Sequence, residues 1–164
     1  MAVLSSGAVA PQWMLKDLGG KSVSLADVLT NGPALVAFFK VGCPTCQFTF
    51  PFVQRLYETY GGPNFSFLGI SQDSPADTRQ FMHHFGIKLP MLLDDHSYSA
   101  SKAYGLTNVP TLFWINPDGK IHISSSGFSK DDLEKISSEV ALATGKAAKP
   151  LFRPGEVVPS YKPG

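Results

Sequence analysis

The apolar residues of this chain fall into short runs of strand length, separated by segments with helical spacing. Residues 34–39 form a continuous apolar run, which is typical of a strand buried on both faces of a sheet. Similar runs lie at 65–70 and 91–93, and helical patterns at 47–60 and 75–85 follow the first two runs. This alternation predicts an α/β fold with a mixed central β-sheet and helices on both faces.

Turn sequences indicate a hairpin near each end of this pattern. Paired glycines at 19–20 separate two short strands within 13–25 and predict an N-terminal β-hairpin. An Asn-Pro-Asp-Gly-Lys turn at 116–120 joins the apolar runs 111–115 and 121–123, which predicts an antiparallel hairpin. The remaining helical patterns cover 97–104 and 129–144.

The pattern predicts a single domain over residues 1–164, with its core at about 10–144. The segment 146–164 contains four prolines, which oppose regular structure. We therefore expect an extended, Pro-rich tail laid over the domain. Its candidate anchors are Leu151, Phe152 and Tyr161.

The composition is that of a globular chain with almost no net charge. Its 164 residues include 14 Lys or Arg against 13 Asp or Glu, a formal net charge of +1, and 43% of them are apolar. This balance supplies no long-range field for nucleic acid or an anionic membrane, so we expect neither as a partner. No run approaches the ~18 apolar residues of a membrane span.

The N-terminal segment bears on the compartment. Residues 1–10 are mildly apolar, lack Lys and Arg, and are short for a secretory signal. We expect a cytoplasmic protein if Met1 is the native start, and a periplasmic or otherwise extracytoplasmic one if a signal segment was removed. A monomer is expected in either case.

The two cysteines, Cys43 and Cys46, stand between the predicted strand 34–39 and the helix that follows it. Pro44 suits the first helical turn, because its missing N–H leaves no donor unpaired there. We expect Cys43 to be exposed at the helix N-terminus, where backbone N–H groups and the helix dipole favour a thiolate. Cys46 would lie one turn deeper, where it can resolve a mixed disulfide on Cys43 without diffusion.

Three other roles for the cysteine pair compete with disulfide exchange. A disulfide closing so small a loop would restrain the unfolded chain by only ~2 kcal/mol, which makes a structural staple a weak explanation. A zinc site needs two further ligands, and the histidines offer no second pair at zinc-finger spacing. The third alternative is that the two cysteines have no role.

Five other residues have side chains that could ligate copper or iron: His83, His84, Asp94, Asp95 and His96. They occupy predicted helix-surface and loop positions, where polar residues are expected without a metal. We therefore expect no metal. The only redox group expected is the disulfide that Cys43 and Cys46 can form.

Several motifs together carry a resemblance to a known family. They are the segment 15–21, the Cys-Pro-Thr-Cys sequence at 43–46, the β-α unit 65–85, and the segments 109–111 and 113–120. In these the chain resembles the thioredoxin superfamily, and within it the TlpA-like and AhpC/TSA (redoxin) group of thiol-disulfide oxidoreductases. The resemblance implies a thioredoxin-like fold in which 65–85 is an inserted unit.

The resemblance also implies a substrate-binding region. In the family the proline that matches Pro110 is cis and faces the cysteines, and the residue before it, here Val109, offers backbone hydrogen bonds to an extended substrate. With the two residues between the cysteines, the predicted substrate-binding set is Val109, Pro110, Pro44 and Thr45.

A proton acceptor for the buried thiol is less directly implied. Thioredoxins carry an acid on the strand six residues before the first cysteine, where this chain has Ala37. Several TlpA-like proteins place a carboxylate at the end of the inserted strand, which corresponds to Asp73. We expect Asp73 to accept the proton of Cys46, directly or through water. Helix capping together with Ser71 and Ser74 is the alternative role.

The function expected from this resemblance is thiol-disulfide exchange with protein substrates, catalysed by Cys43 and Cys46 and driven by an unidentified electron donor. A peroxiredoxin-like peroxidase is the first alternative. Those enzymes place a threonine three residues before the reactive cysteine and a proline four before that, where this chain has Lys40 and Val36. A non-enzymatic redox sensor or metallochaperone-like binding module is the second alternative.

Overall fold

The computed structural model describes residues 2–164. Its strands are β1 (Met14–Asp17), β2 (Ser22–Ser24), β3 (Ala34–Phe39), β4 (Ser66–Ser71), β5 (Met91–Leu93), β6 (Thr111–Ile115), β7 (Ile121–Ser126), β8 (Phe128–Ser129) and β9 (Tyr161–Lys162). Its helices are α1 (Leu25–Val28), α2 (Pro44–Tyr60), α3 (Pro75–Phe85), α4 (Ser99–Ala103) and α5 (Lys130–Thr144), with a 3₁₀ turn at Leu29–Asn31.

Seven of the strands form one mixed sheet in the order β2-β1-β5-β4-β3-β6-β7. Strands β3, β4 and β5 are parallel, whereas β6 and the N-terminal hairpin run antiparallel to their neighbours. Both predicted hairpins are present, and the predicted mixed α/β sheet is confirmed.

Strand β3 is buried along its whole length because helices cover both faces of the sheet. Leu35, Ala37 and Phe39 point into one apolar cluster, which they share with α2, α3 and α5. The intervening residues of β3 belong to a second cluster with α1, α4 and the N-terminal segment. The period of two along a strand therefore divides the core into two layers.

The carboxyl ends of β3 and β4 meet at one edge of the sheet. Phe39 pairs with Ser71, so the loops that follow the two strands lie side by side. Strand β6 starts at the same edge, since Thr111 pairs with Phe38. This edge therefore collects the cysteine motif, the residues after β4 and the segment that precedes β6.

The N-terminal segment covers the outer edge of β7. The amide of Ile121 donates to the carbonyl of Ala8, and the amide of Gly7 donates to the carbonyl of Ile121. Ser124 Oγ donates to the carbonyl of Leu4 at 2.7 Å. The backbone amide and carbonyl of Ile121 are thus already paired within the chain.

The predicted tail runs over the domain, largely without regular structure. Leu151 is buried and Phe152 packs against the ring of Phe52, as expected of anchors. Tyr161 is 52% exposed and also anchors the tail, through its backbone, which pairs with Ser129 in the two-stranded β8-β9 sheet.

An ion pair fixes the middle of the tail. The guanidinium of Arg55 on α2 contacts both carboxylate oxygens of Glu156, with its Nη1 2.7 Å from Oε1. The same guanidinium donates to the carbonyl of Leu151 at 3.2 Å. The side chains are only 22 and 27% exposed, so this forked contact is better shielded than an ordinary surface pair.

Helix α4 is shorter than the pattern 97–104 predicts. Tyr98 adopts a left-handed conformation (φ 54°), so the helix begins only at Ser99. Asp94 is buried and accepts hydrogen bonds from the amides of Ala100 and Ser101 and from the Ser101 hydroxyl. No helix among residues 2–164 is long and apolar enough to span a membrane.

The Arg55–Glu156 pair predicts a pH dependence of stability. Arg55 and the Arg153 amide lower the pKa of Glu156 from 4.5 to about 2. A pKa lowered by folding stabilises the native state above the unfolded-state value, and this gain is lost as the pH falls through the native value. We expect the free energy of unfolding of wild type to exceed that of Glu156→Gln at neutral pH, and the difference to shrink between about pH 5 and about pH 2.

Denaturant titrations over that pH range measure the difference. Glu134→Gln, which alters an exposed glutamate on α5, is the matched control and should show no such difference. If the difference in the free energy of unfolding between wild type and Glu156→Gln were equal at both ends of the range, the lowered pKa of Glu156 in the native state would be contradicted.

Candidate functional site

Cys43 occupies the N-cap of α2, where β3 ends and the helix begins. Its backbone is extended (φ −85°, ψ 116°), and its sulfur accepts a hydrogen bond from the amide of Cys46 at 3.1 Å. Pro44 fills the first helical position, as predicted. The first turn of a helix leaves amides without intrahelical partners, and here a sulfur accepts from one of them.

Cys46 lies one turn deeper, with its side chain fully buried, whereas Cys43 is half-buried. Both thiols are free. Burial raises the pKa of the Cys46 thiol strongly, and its interaction with the Cys43 side chain and the charge of Asp73 raise it further. Cys46 is therefore protonated at neutral pH. Because Cys46 is buried and Cys43 is only half-buried, Cys43 is the sulfur that solvent can reach.

The segment before β6 faces Cys43. The Val109–Pro110 peptide bond is cis, as the family resemblance implied. The Cys43 thiol lies 3.4 Å from the carbonyl oxygen of Val109 and donates to it. The backbone of the residue before the proline is thus directly beside the accessible sulfur.

Asp73 lies in the loop after β4, next to the loop that carries the cysteines. Its Oδ2 accepts a hydrogen bond from the amide of Val41 at 2.8 Å, which ties the two loops together. This bond leaves Oδ1 available to another donor. Asp73 does not cap α3, because the side chain of Ser74 accepts from the amide of Asp77 instead. The capping alternative for Asp73 was therefore wrong, and its charge acts on Cys46.

The other two predicted substrate-binding residues differ in accessibility. Pro44 is exposed at the rim of a cavity of about 520 Å³ that Cys43, Asn108 and Val109 also line. Thr45 is buried, and its hydroxyl donates to the carbonyl of Pro163 at 2.7 Å. Thr45 therefore contacts the tail of its own chain in this structure.

Two contributors to the site were not predicted from the sequence. Gln47 donates from Nε2 to the carbonyl of Val41 at 2.9 Å and so fixes the turn before Cys43. Gly164 lines the cavity beside Cys43. A side chain amide in a helix and a glycine in a Pro-rich tail carry no sequence signal that points to this edge.

The histidines do not converge on the cysteines. Among residues 2–164 no group of three or more His, Cys, Asp or Glu side chains is arranged to hold a metal ion. His83 and His84 are exposed on α3, and His96 is exposed in a loop. His122 contacts Glu139 on α5 at 2.6 Å.

Comparison with known proteins agrees with this geometry. The sequence profile of the AhpC/TSA family matches residues 6–124. The chain belongs to the AhpC/TSA family. It is 29% identical over 119 residues to the thiol-disulfide oxidoreductase ResA of Bacillus subtilis, an alignment that covers 72% of this chain and 65% of ResA. The chain thus spans just under two thirds of that relative.

Solved structures share the fold. The thioredoxin domain of a thiol-disulfide oxidoreductase from Bacteroides vulgatus is 27% identical, with a TM-score of 0.72 over 83% of this chain and 97% of that one. The peroxidoxin BcpB of Mycobacterium tuberculosis is 20% identical, with a TM-score of 0.70 over 87% of this chain and 97% of that one. The predicted thioredoxin-like fold is therefore confirmed for this AhpC/TSA chain.

The unequal burial of the two thiols predicts selective alkylation of this AhpC/TSA protein. Iodoacetamide should modify Cys43 of the reduced native protein. It should alkylate Cys46 at least about tenfold more slowly, because a buried thiol with a raised pKa supplies little thiolate. Peptide mapping by mass spectrometry reads both sites.

The denatured reduced protein is the control, in which both cysteines should react at similar rates. Comparable labelling of the two cysteines in the native state would show that Cys46 is accessible, contrary to its burial.

Proposed function

We propose that this protein exchanges disulfides with protein substrates through Cys43 and Cys46. The observation that carries the proposal is one accessible sulfur at the N-cap of α2, paired with a buried thiol one turn away. The family match and the names of the similar proteins agree with this activity. No cofactor is needed beyond the disulfide that the pair itself forms.

The cycle begins with attack of the Cys43 thiolate on a substrate disulfide. A mixed disulfide forms, and the other substrate sulfur leaves as a thiolate that takes up a proton. Cys46 then loses its proton and attacks Cys43, which releases the second substrate thiol and forms the Cys43–Cys46 disulfide. The substrate gains two electrons, and an external dithiol donor returns the pair to the reduced state.

The N-terminus of α2 stabilises the first nucleophile. The Cys46 amide aims its N–H at Cys43 Sγ from 3.1 Å, and a hydrogen bond to a thiolate is stronger than one to a neutral thiol. The helix dipole acts in the same direction. Helix geometry therefore directs a hydrogen-bond donor at the sulfur that a substrate can reach.

Asp73 is the proposed acceptor of the Cys46 proton. Its charge acts on the thiol, and the amide of Val41 holds the carboxylate in place. Because burial keeps Cys46 protonated, the resolving step requires that this proton leave when Cys46 attacks. The acceptor works directly or through one water molecule.

Val109 and Pro110 form the proposed binding edge for an extended substrate, and Pro44 and Thr45, in the first turn of α2 after Cys43, complete the proposed set. A carbonyl next to the reactive sulfur suits main-chain pairing, which binds many sequences without reading their side chains. We propose that the protein acts as a monomer, so that no second copy of the chain covers this edge.

Peroxidase chemistry is the less supported alternative. The three arginines of the chain lie away from the sulfur: Arg55 binds Glu156, Arg79 donates to the carbonyl of Leu18, and Arg153 is exposed in the tail. The peroxiredoxin pattern also places a threonine where this chain has the exposed Lys40. A peroxide at Cys43 would thus lack an arginine and a threonine as donors to its developing charge.

The exchange proposal predicts distinct behaviour of the two cysteine variants. Wild type should accelerate the reduction of insulin by dithiothreitol, and Cys43→Ser should reduce the rate to that of dithiothreitol alone. Cys46→Ser should instead accumulate a mixed disulfide through Cys43, because the resolving sulfur is missing. Turbidity and mass spectrometry measure the two outcomes.

Peroxide consumption is assayed in parallel. Rapid turnover of peroxide that is lost in Cys43→Ser, without insulin reduction by wild type, would favour the peroxidase instead. A single oxidation without turnover in either assay would favour the redox sensor.

The role of Asp73 predicts two separable effects of Asp73→Asn, which keeps an acceptor for the Val41 amide. The pKa of Cys46 should fall, because the charge that raises it is removed. Resolution of a preformed mixed disulfide should nevertheless slow by at least about tenfold, since a positioned base commonly contributes a factor of about 10² or more.

Stopped-flow kinetics and thiolate absorbance measure these effects. Asp77→Asn, in the exposed first turn of α3, is the matched control and should leave both quantities unchanged. A lower Cys46 pKa with unchanged or faster resolution would exclude Asp73 as the proton acceptor.

A further inference from the structure

The last residues of the tail approach the reactive cysteine. Pairing of Tyr161 and Lys162 with β8 directs the chain toward the N-terminus of α2. The hydroxyl of Thr45, between the two cysteines, donates to the carbonyl of Pro163 at 2.7 Å. Segment 162–164 is called the tail tip below.

The tail tip also contacts the segment that precedes the cis-proline. A side chain atom added at Gly164 would collide with the carbonyl oxygen of Val109 and with Asn108 Nδ2. Gly164 lines the same cavity as Cys43 and Pro44. The tip therefore lies between Thr45 and Val109, two of the residues that we assign to substrate binding. The space between these two residues is called the substrate groove below.

A third contact fixes the direction of the tip. The ammonium of Lys162 lies 4.6 Å from the centre of the Phe48 ring on α2, within cation–π range. Phe48 is half-buried and its ring meets that of Phe128 at 4.9 Å. The ring of Phe48, two residues after Cys46, thus contacts the Lys162 cation that precedes Pro163.

We propose that the tail tip is an intramolecular competitor for the protein substrate, so that a substrate reaches Cys43 fully only when the tip leaves the groove. This inference rests on the proposed disulfide exchange and adds a regulation of the same site. The partner it fits is an extended polypeptide that pairs with the Val109 backbone.

The distribution of contacts along the tail suits such a device. Upstream, Leu151 is buried and Glu156 is held by both nitrogens of the Arg55 fork, so the tail stays attached. At the tip, Pro163 and Gly164 are exposed and the contacts are few. The tip can therefore detach while the anchors hold, and tethering keeps its effective concentration high enough to compete.

The opposite role makes a different prediction. If the tip were a permanent wall of the substrate groove, its removal would weaken substrate binding. Substitutions that displace the tip without altering the catalytic residues therefore decide between competition and support.

Gly164→Ala is the main variant, because its added methyl group cannot fit against Val109. The second-order rate of reduced protein with oxidised insulin should rise by about three- to fivefold, the size expected for loss of roughly one hydrogen bond or cation–π contact. Lys162→Ala should act in the same direction. A synthetic peptide of residues 157–164, added to Gly164→Ala, should return the rate toward that of wild type.

Gly62→Ala is the matched control, because it adds the same methyl group where there is space and far from the tip. It should react at the wild-type rate. A rate for Gly164→Ala equal to or below that of wild type would overturn the competition.

A second readout separates this proposal from the proposed function. The rate at which a bulky maleimide labels Cys43 depends on access and needs no disulfide exchange. If wild type and variants all fail to reduce insulin, the proposed function is wrong, and the labelling rate decides about the tip. Faster labelling of Gly164→Ala supports occupation of the groove, and unchanged labelling contradicts it.

Discussion

The site depends on one hydrogen bond, from the amide of Cys46 to the sulfur of Cys43. A helix that begins immediately after a buried strand leaves amides unsatisfied, and a sulfur at the N-cap accepts from one of them. The same bond fixes the spacing of the two cysteines, because the amide that binds the first sulfur belongs to the residue that carries the second. The hydrogen bond to one sulfur and the proximity of the other thus have a common structural cause.

The unequal environments of the two sulfurs give them different chemical roles. One turn of α2 separates the half-buried Cys43 from the fully buried Cys46. Burial disfavours the thiolate at Cys46 more than any other contribution, so in the proposed cycle solvent access makes Cys43 the first nucleophile. The parallel pairing of β3 with β4 brings Asp73, the proposed proton acceptor, next to the loop that carries Cys43.

The sequence predicted those parts of the molecule that depend on local pattern. Strand β3, the helix begun by Pro44 and the two hairpins are encoded in apolar runs and turn residues that are close in the chain. The left-handed Tyr98 and the pairing of β8 with β9 were not predictable in this way. The bond from Thr45 to Pro163 joins residues 118 positions apart, and no periodicity reports on it. The tail composition indicated only that regular structure would be scarce.

The N-terminal segment has a consequence for how the protein meets extended chains. An outermost strand with free amides and carbonyls can pair with an additional strand from any unfolded polypeptide. Such pairing leads to aggregation. Here Gly7 and Ala8 already use the amide and carbonyl of Ile121 on β7. The opposite margin of the sheet ends in β2, a strand of only three residues. At one margin the first residue of β7 is therefore already paired, and at the other an unfolded polypeptide meets a strand of only three residues.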